Sequence, residues 1–363
     1  MLVDDSAVVR GLVSRWIDTE PDLALAGSCV DGQQALDRVA AINPDVIVLD
    51  IEMPRLDGLT ALPELRKRAP KAKIVMASTL TRRGADVTLR ALSAGAADYL
   101  AKPDGARLAS ARDFREDLLA KVRALGGNTD PRGIRPTGFT ASRQAAKLGA
   151  PAPAIIPTTG PVKLRPARRV KPKAIVIGSS TGGPQALRVI AAALGPASGV
   201  PVLVVQHMPK TFTSVLAEHL DRAGPLSCVE AEDGMPIKPG RIHVARGDKH
   251  MLVCNRGGGL KLKLSDDPPE NYCRPAVDPL FRSACEAYGG DLLALVLTGM
   301  GADGAAGSVT IADAGGLVLA QDEASSVVWG MPGAVARIGS ASALVPLDKF
   351  GEKIQRIMRG NGL

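Results

Sequence analysis

The sequence predicts an α/β protein built from two doubly wound parallel-sheet domains joined by a flexible linker, and three observations carry that reading. At 363 residues the chain exceeds the ~100–200 residues typical of one domain. Short β-rich runs alternate with amphipathic stretches in both halves, as βαβ units require. Between the halves the composition changes abruptly: positions 124–173 hold ten Lys/Arg, one acid (Asp130) and eight prolines, in runs such as P-A-P-A-I-I-P and P-A-R-R-V-K-P-K. Such a segment buries too little apolar surface to fold alone and reads as a semi-rigid spacer. The expected boundaries are therefore 1–123, 124–170 and 171–363.

The formal net charge is +8, and the spacer region alone carries +9, so the two domains together are close to neutral. Together with the lack of a helix-turn-helix pattern after the spacer, this speaks against a nucleic-acid-binding regulator. No apolar run approaches the ~18 residues needed to span a bilayer, and Asp4 and Asp5 stand where a signal peptide needs apolar residues. A soluble, cytoplasmic, monomeric protein without membrane insertion is expected. Cys29, Cys228, Cys254, Cys273 and Cys285 are odd in number and scattered, with no C-x-x-C pair, so neither a disulfide framework nor a zinc site is expected.

In the first domain, Asp45 to Leu49, Lys73 to Ala77 and Asp98 to Ala101 read as strands, and Gly32 to Ile42 and Thr88 to Leu92 as helical. A last helix is expected to start at Ser110 as N-cap, with Phe114, Leu118, Val122 and Leu125 on its apolar face and Gly126-Gly127 as its stop. Only Met1, Leu2 and Val3 precede Asp4, so the first strand looks cut short and a start a few residues upstream is expected.

Ligands of such sheets sit beyond the carboxyl ends of the strands. Asp4 and Asp5 end the first strand, Asp50 ends V-I-V-L-D, Ser78 and Thr79 end I-V-M-A, and Lys102 ends D-Y-L-A-K. Clustered carboxylates raise one another's pKa unless a cation sits among them, and oxygen ligands at this spacing suit Mg²⁺ with a phosphate partner. Asp50 is the best-placed nucleophile for phosphoryl transfer, giving an acyl phosphate, and Lys102 can neutralise phosphoryl oxygens.

The strings V-D-D-S, L-D-I-E-M-P-R-L-D-G-L, M-A-S-T and Y-L-A-K-P resemble the receiver domain of two-component response regulators across nearly the whole of the first 105 residues. The resemblance implies a flavodoxin-like fold in which Asp4, Asp5 and Asp50 bind Mg²⁺ and Asp50 accepts phosphate. It further implies that Ser78 contacts the phosphoryl group, with Thr79 as the alternative, that Lys102 pairs with it, and that Tyr99 is an aromatic switch.

In the second domain Lys173 to Ile177 reads as a strand, G-S-S-T-G-G-P as a tight turn, and Leu187, Ile190, Ala191 and Leu194 as one face of a helix opened by Pro184. Further strands are expected at Val202 to Val205, Arg241 to Val244 and Leu292 to Leu297. The turn fits G-x-S-x-G with Ser180 as nucleophile; it lacks both the G-x-G-x-x-G of a dinucleotide loop and the lysine of a P-loop. V-V-Q-H-M-P places His207 beyond one strand, and L-T-G-M-G-A-D-G places Asp303 beyond another. A serine, an imidazole and a carboxylate facing one crevice supply nucleophile, base and orienting group. The chain order Ser, His, Asp departs from the Ser, Asp, His of α/β-hydrolases and points to a different fold. Among the other histidines, His219 reads as a surface residue and His243 as core, while His250 could be either.

The strings G-S-S-T-G-G-P-Q-A-L, V-Q-H-M-P, R-P-A-V-D-P-L-F and E-A-S-S-V-V-W-G-M-P, with those above, resemble the catalytic domain of the protein-glutamate methylesterases of bacterial chemotaxis over almost all of the last 190 residues. That resemblance implies a Rossmann-like esterase with Ser180, His207 and Asp303 as the triad, Thr181 beside the nucleophile and the Met300 N–H as an oxyanion donor. It implies hydrolysis of glutamate γ-methyl esters on chemoreceptors, deamidation of certain glutamines, and no cofactor for the ester chemistry. It also implies a chemotaxis histidine kinase as phosphodonor and a receiver that packs beside the crevice until it is phosphorylated.

Overall fold

The computed structural model describes residues 1–102, 108–127, 160–195 and 199–363. The first unit is a five-stranded parallel sheet: β1 (Leu2–Val3), β2 (Ser28–Cys29), β3 (Val46–Asp50), β4 (Lys73–Ser78) and β5 (Asp98–Ala101), in the order β2-β1-β3-β4-β5. Helices α1 (Ala7–Asp18), α2 (Gly32–Ile42), α3 (Gly58–Arg68), α4 (Arg82–Ser93) and α5 (Leu108–Gly126) alternate with the strands. Ser6, Asp31, Asp57 and Thr81 each accept a backbone N–H at the start of α1 to α4, so every one of these helices begins on an oxygen-bearing cap. The strands are buried on both faces, as doubly wound sheets require.

The second unit is a seven-stranded, wholly parallel sheet in the order β14-β13-β12-β6-β7-β9-β8. Its strands are β6 (Ala174–Ser179), β7 (Val202–Gln206), β8 (Ser227–Glu230), β9 (Arg241–Val244), β12 (Leu292–Val296), β13 (Leu317–Gln321) and β14 (Ala343–Val345). An antiparallel hairpin, β10 (His250–Arg256) with β11 (Gly259–Ser265), stands apart from it. Its two-residue loop is Gly257-Gly258, at φ 65° and 83°, the positive pair that a type I′ turn demands. The helices are α6 (Gly183–Ala193), α7 (Lys210–Ala223), α8 (Val277–Tyr288), α9 (Ala305–Asp313), α10 (Met331–Ile338) and α11 (Phe350–Met358).

Several boundaries differ from the sequence expectation. The last helix of the first unit begins at Leu108, so Ser110 lies inside it instead of capping it: Leu and Ala at 108 and 109 favour continuing the helix. Helices α1 and α3 and the β10–β11 hairpin were not expected at all. The helix α5 reaches Gly126, and at the other end of the spacer Lys163 N and Arg165 N donate to Ala336 O and Ala341 O, with Arg165 paired to Asp313 at 2.7 Å. The intervening 128–159 lies outside the described residues.

The two units are in contact through α4 and β5 on one side and α6 and α7 on the other. Tyr99 stacks on Phe212 with centroids 4.7 Å apart and planes 14° from parallel. Gln185 Nε2 donates to Leu92 O at 2.6 Å and to Ala96 O, while Arg82 pairs with Glu218 and His219 Nε2 lies 2.9 Å from Asp86 Oδ1. His219 is thus an interface residue and not the plain surface group expected. His243 is core, fully buried, and His250 is buried too. Burial, then the positive charge of Arg241, drives His243 down to about 4, so it stays neutral. Among the described residues no helix is long and apolar enough to cross a membrane.

Candidate active site

β6 lies between β12 and β7, so the carboxyl ends of these three strands are neighbours. Ser180 follows β6 directly, at the turn into α6; His207 follows β7; Asp303 follows β12 after the T-G-M-G loop. The turn is held by Gly182 at φ 75°, where a Cβ would meet Val327, and by Gly183, whose Cβ would lie 1.9 Å from Gln206 Oε1. Gln206 ties the two strand ends together: its Oε1 accepts from Ser179 Oγ at 2.7 Å, and its Nε2 donates to Ser180 O at 2.9 Å and His207 O at 3.2 Å. Ser179 is therefore buried and committed, whereas Ser180 is half-buried and its hydroxyl makes no hydrogen bond among the described residues.

His207 Nε2 and Asp303 Oδ2 are 2.7 Å apart. A carboxylate only accepts, so Nε2 carries the hydrogen and Nδ1 is left as the ring's acceptor in the neutral imidazole. Asp303 also accepts from the N–H groups of Val277 at 2.6 Å, Asp278 at 3.1 Å and Gly304 at 2.9 Å, and from Asn271 Nδ2 at 3.0 Å. Burial works against its charge, but the hydrogen bond and positive field of His207 and the backbone donors hold it below the ordinary carboxylate range. Burial likewise opposes a proton on His207; the bonds to Asp303 and Cys273 outweigh it and push the imidazole up to about 10. Neighbouring Asp278 goes the other way, raised to about 7 by burial and by the Asp303 charge.

Two expected contacts take another form. His207 Nδ1 faces Cys273 Sγ at 3.4 Å instead of the Ser180 hydroxyl. Thr181 is buried, and its Oγ1 donates to Asp98 Oδ2 of the first unit at 2.7 Å. The N–H groups of Thr181 and Met300 make no hydrogen bond among the described residues and so stand available beside Ser180. Gly299 closes that side: a Cβ there would lie 2.9 Å from Ser180 Cβ. Cys273, Asn271, Asp278, Gln206 and Asp98 are the neighbours that sequence reasoning missed. Gln206 and Asp278 lie within V-Q-H-M-P and R-P-A-V-D-P-L-F, and Asp278 is a buried acid in the first turn of α8, but their partners, like those of Cys273, Asn271 and Asp98, depend on contacts that spacing does not encode.

At the carboxyl edge of the first sheet, Asp4, Asp5 and Asp50 offer ligand oxygens that all lie within 4.8 Å of one another. Lys102 Nζ bridges Asp4 at 2.8 Å and Asp50 at 2.7 Å. Burial pushes Asp50 up to about 6, against the pull of Lys102 and with help from Asp4 and Asp5. Ser78 and Thr79 line the same cleft of about 340 Å³. Ser78 is buried with its Oγ donating to Gly84 O at 3.2 Å, while Thr79 Oγ1 lies 3.3 Å from Thr81 Oγ1. A set of hard carboxylate oxygens with one lysine fits a magnesium ion and a phosphoryl group. Tyr99 is buried between Phe212 and the Lys121 ammonium, 4.9 Å from its ring.

The comparisons with known proteins follow this division. Residues 1–112 match the response regulator receiver domain and residues 175–354 the CheB methylesterase domain. A protein-glutamate methylesterase/protein-glutamine glutaminase of Bradyrhizobium diazoefficiens is 49% identical over 375 residues, covering 99% of this chain and 94% of its own. One from Azospirillum brasilense is 50% identical over 364 residues, covering 98% and 91%. The crystal structure of the Thermotoga maritima CheB methylesterase catalytic domain, 41% identical, covers 52% of this chain and all of its own with a TM-score of 0.50.

Proposed function

This chain belongs to the CheB methylesterase family, and from that premise we propose that it is a phosphorylation-regulated serine hydrolase. It removes γ-methyl esters from glutamates of chemoreceptors as methanol, and deamidates specific glutamines, in chemotactic adaptation. The observation that supports the reading is that Ser180, His207 and Asp303 follow three adjacent strands of one sheet, with the imidazole held by a carboxylate that accepts five hydrogen bonds.

Ser180 attacks the ester carbonyl while His207 Nδ1 takes its proton and returns it to the leaving methanol or ammonia. Asp303 holds the ring by Nε2 and stabilises the imidazolium. The N–H groups of Met300 and Thr181 bind the oxyanion. A second turnover step, attack of water on the acyl-serine, uses the same base and needs no cofactor. His207 acts as base in its neutral form, and the receiver packed on α6 and α7, with Thr181 bonded to Asp98, is the docked, resting form of the enzyme.

Residues 1–123 act as the receiver, 124–170 as the spacer and 171–363 as the esterase. Asp50 is the phosphoacceptor; Asp4, Asp5 and Asp50 hold Mg²⁺, which supplies charge neutralisation for phosphoryl transfer. Lys102 pairs with the phosphoryl oxygens and Ser78, better placed at the buried strand end than Thr79, contacts them. Tyr99 reports the change to the interface. The partners are methyl-accepting chemoreceptors and a chemotaxis histidine kinase; the protein works in the cytoplasm as a monomer and does not bind nucleic acid. Methanol release from methylated receptor fragments, with and without a phosphodonor, tests the reading. Release that requires Ser180 and rises with the phosphodonor supports it, and its absence under both conditions overturns it.

A further inference from the structure

The sequence gives Cys273 no role, and its thiol sits where the triad base does its chemistry. Its Sγ is 3.4 Å from His207 Nδ1, and it is held there by a two-residue bridge in which Cys273 N donates to Glu270 O at 2.8 Å and Glu270 N to Cys273 O at 3.2 Å. The turn between them runs through Asn271 and Tyr272 at φ 50° and 62°, left-handed conformations that fix the direction of the loop. Asn271 pins the loop from behind, donating to Asp278 and Asp303 at 3.0 Å each. With Nε2 committed to Asp303, Nδ1 is the ring nitrogen that meets the sulfur: it accepts the thiol proton in the neutral ring and, once protonated, faces the thiolate. Thiol, imidazole and carboxylate therefore form a line, Cys273 to His207 to Asp303, of the kind that converts a thiol into a thiolate nucleophile. Cys273 is half-buried, whereas Cys29, Cys228 and Cys285 are buried.

We infer that Cys273 and His207 form a modification site: a thiol–imidazole pair that reacts with small electrophiles and peroxides and that silences the hydrolase when it does. The thiol proton passes to His207 Nδ1, leaving the thiolate. With a peroxide, the sulfur attacks one oxygen, the O–O bond breaks and hydroxide leaves, taking up the proton as water; sulfur is oxidised to the sulfenic acid and the peroxide is reduced. With an alkyl halide, an S–C bond forms and halide leaves with the bonding pair. Either product keeps a polar or bulky group against Nδ1, the one nitrogen able to accept the Ser180 proton. Silencing rests on the hydrolase reading given above; the reactivity of the thiol does not.

The test uses the full chain and iodoacetamide, with labelling of each of the five cysteines followed by peptide mass. Cys273 should label at least about tenfold faster than Cys254, the other half-buried thiol, whose Sγ donates to the Lys261 carbonyl. His207→Gln should slow Cys273 labelling about tenfold and leave Cys254 unchanged. Ester hydrolysis should fall in step with Cys273 labelling, and activity lost to hydrogen peroxide should return with dithiothreitol. Labelling of Cys273 no faster than Cys254 overturns the inference, as does a rate indifferent to His207→Gln in a folded variant. If that variant exposes its buried cysteines, the wild-type comparison decides alone. Because labelling is read by mass, an inactive hydrolase with a reactive Cys273 sinks only the functional reading.

Discussion

Thr181 Oγ1 donates a 2.7 Å hydrogen bond to Asp98 Oδ2, which joins the residue after Ser180 to the last strand of the receiver. Both side chains are buried, at 3% and 4% exposure, so water does not compete for the bond. Lys121 Nζ, 3.5 Å from the same carboxylate, steadies its charge.

Asp98→Ala takes a partner from Lys121 in every form, and in the docked form it also leaves the Thr181 hydroxyl buried without an acceptor, a cost of ~1–3 kcal/mol to docking. The unphosphorylated full-length variant should hydrolyse methyl esters faster than the wild type, within the ~5–150-fold that such a coupling spans. Initial rates of methanol release measure it; an unchanged resting rate would remove this bond from the control of the enzyme.

The strand ends were legible because chemistry-bearing residues terminate apolar runs: V-I-V-L before Asp50 and V-L-V-V-Q before His207 announce both the sheet and the site. What stayed hidden is of another kind. Asp98 reads as an ordinary strand residue, and only the packing of one domain on the other gives it a partner. Cys273 reads as one of five scattered thiols until the loop over His207 is seen. Helix α1 was missed because its moderate apolar face, Val13 and Ile17, is interrupted by Arg10, Gly11 and Arg15.

Ser180→Ala should abolish hydrolysis with little change in stability, since the hydroxyl has no partner among the described residues to lose. Asp303→Asn should do more harm than a lost charge. Its oxygens accept from four N–H donors besides His207, and an amide nitrogen must turn toward some of them. Both kcat and thermal stability should fall, and a calorimetric midpoint equal to that of wild type would contradict the geometry.

Burial pushes the Asp50 carboxyl up to about 6. A raised carboxyl pKa means that the proton returns as pH falls through about 6, and a protonated carboxyl neither attacks phosphorus nor binds a cation well. Phosphorylation by acetyl phosphate at fixed Mg²⁺ should be level from pH 7 to 8 and drop about tenfold per unit below the pKa. A rate still level at pH 5 would show that the metal or the donor, rather than the proton on Asp50, sets the profile.

The stack of Tyr99 on Phe212 bears on how phosphorylation reaches the esterase. Tyr99 is fully enclosed: Phe212 lies against one face at 4.7 Å, Lys121 stands 4.9 Å from the ring, and its own carbonyl accepts from Lys121 Nζ at 2.6 Å. Ser78 Oγ meanwhile is turned to Gly84 O, at the start of α4, so drawing Ser78 toward a phosphorylated Asp50 frees space beside that helix. For Tyr99 to follow, its stack must break, and an aromatic pair is worth ~0.5–1.5 kcal/mol beyond the area it buries. This contact stands in the interface together with those of Gln185 and Thr181, so its loss would weaken the packing of the two units. Tyr99→Leu keeps an apolar filler while deleting the ring, so the resting rate should rise about two- to tenfold. The same variant should gain proportionally less from the phosphodonor, because part of the docking energy is already gone. Resting and activated methanol-release rates of the full chain give both numbers. A variant with the wild-type resting rate and the full phosphodonor gain would mean that the two domains are coupled through the α4 helix and not through Tyr99.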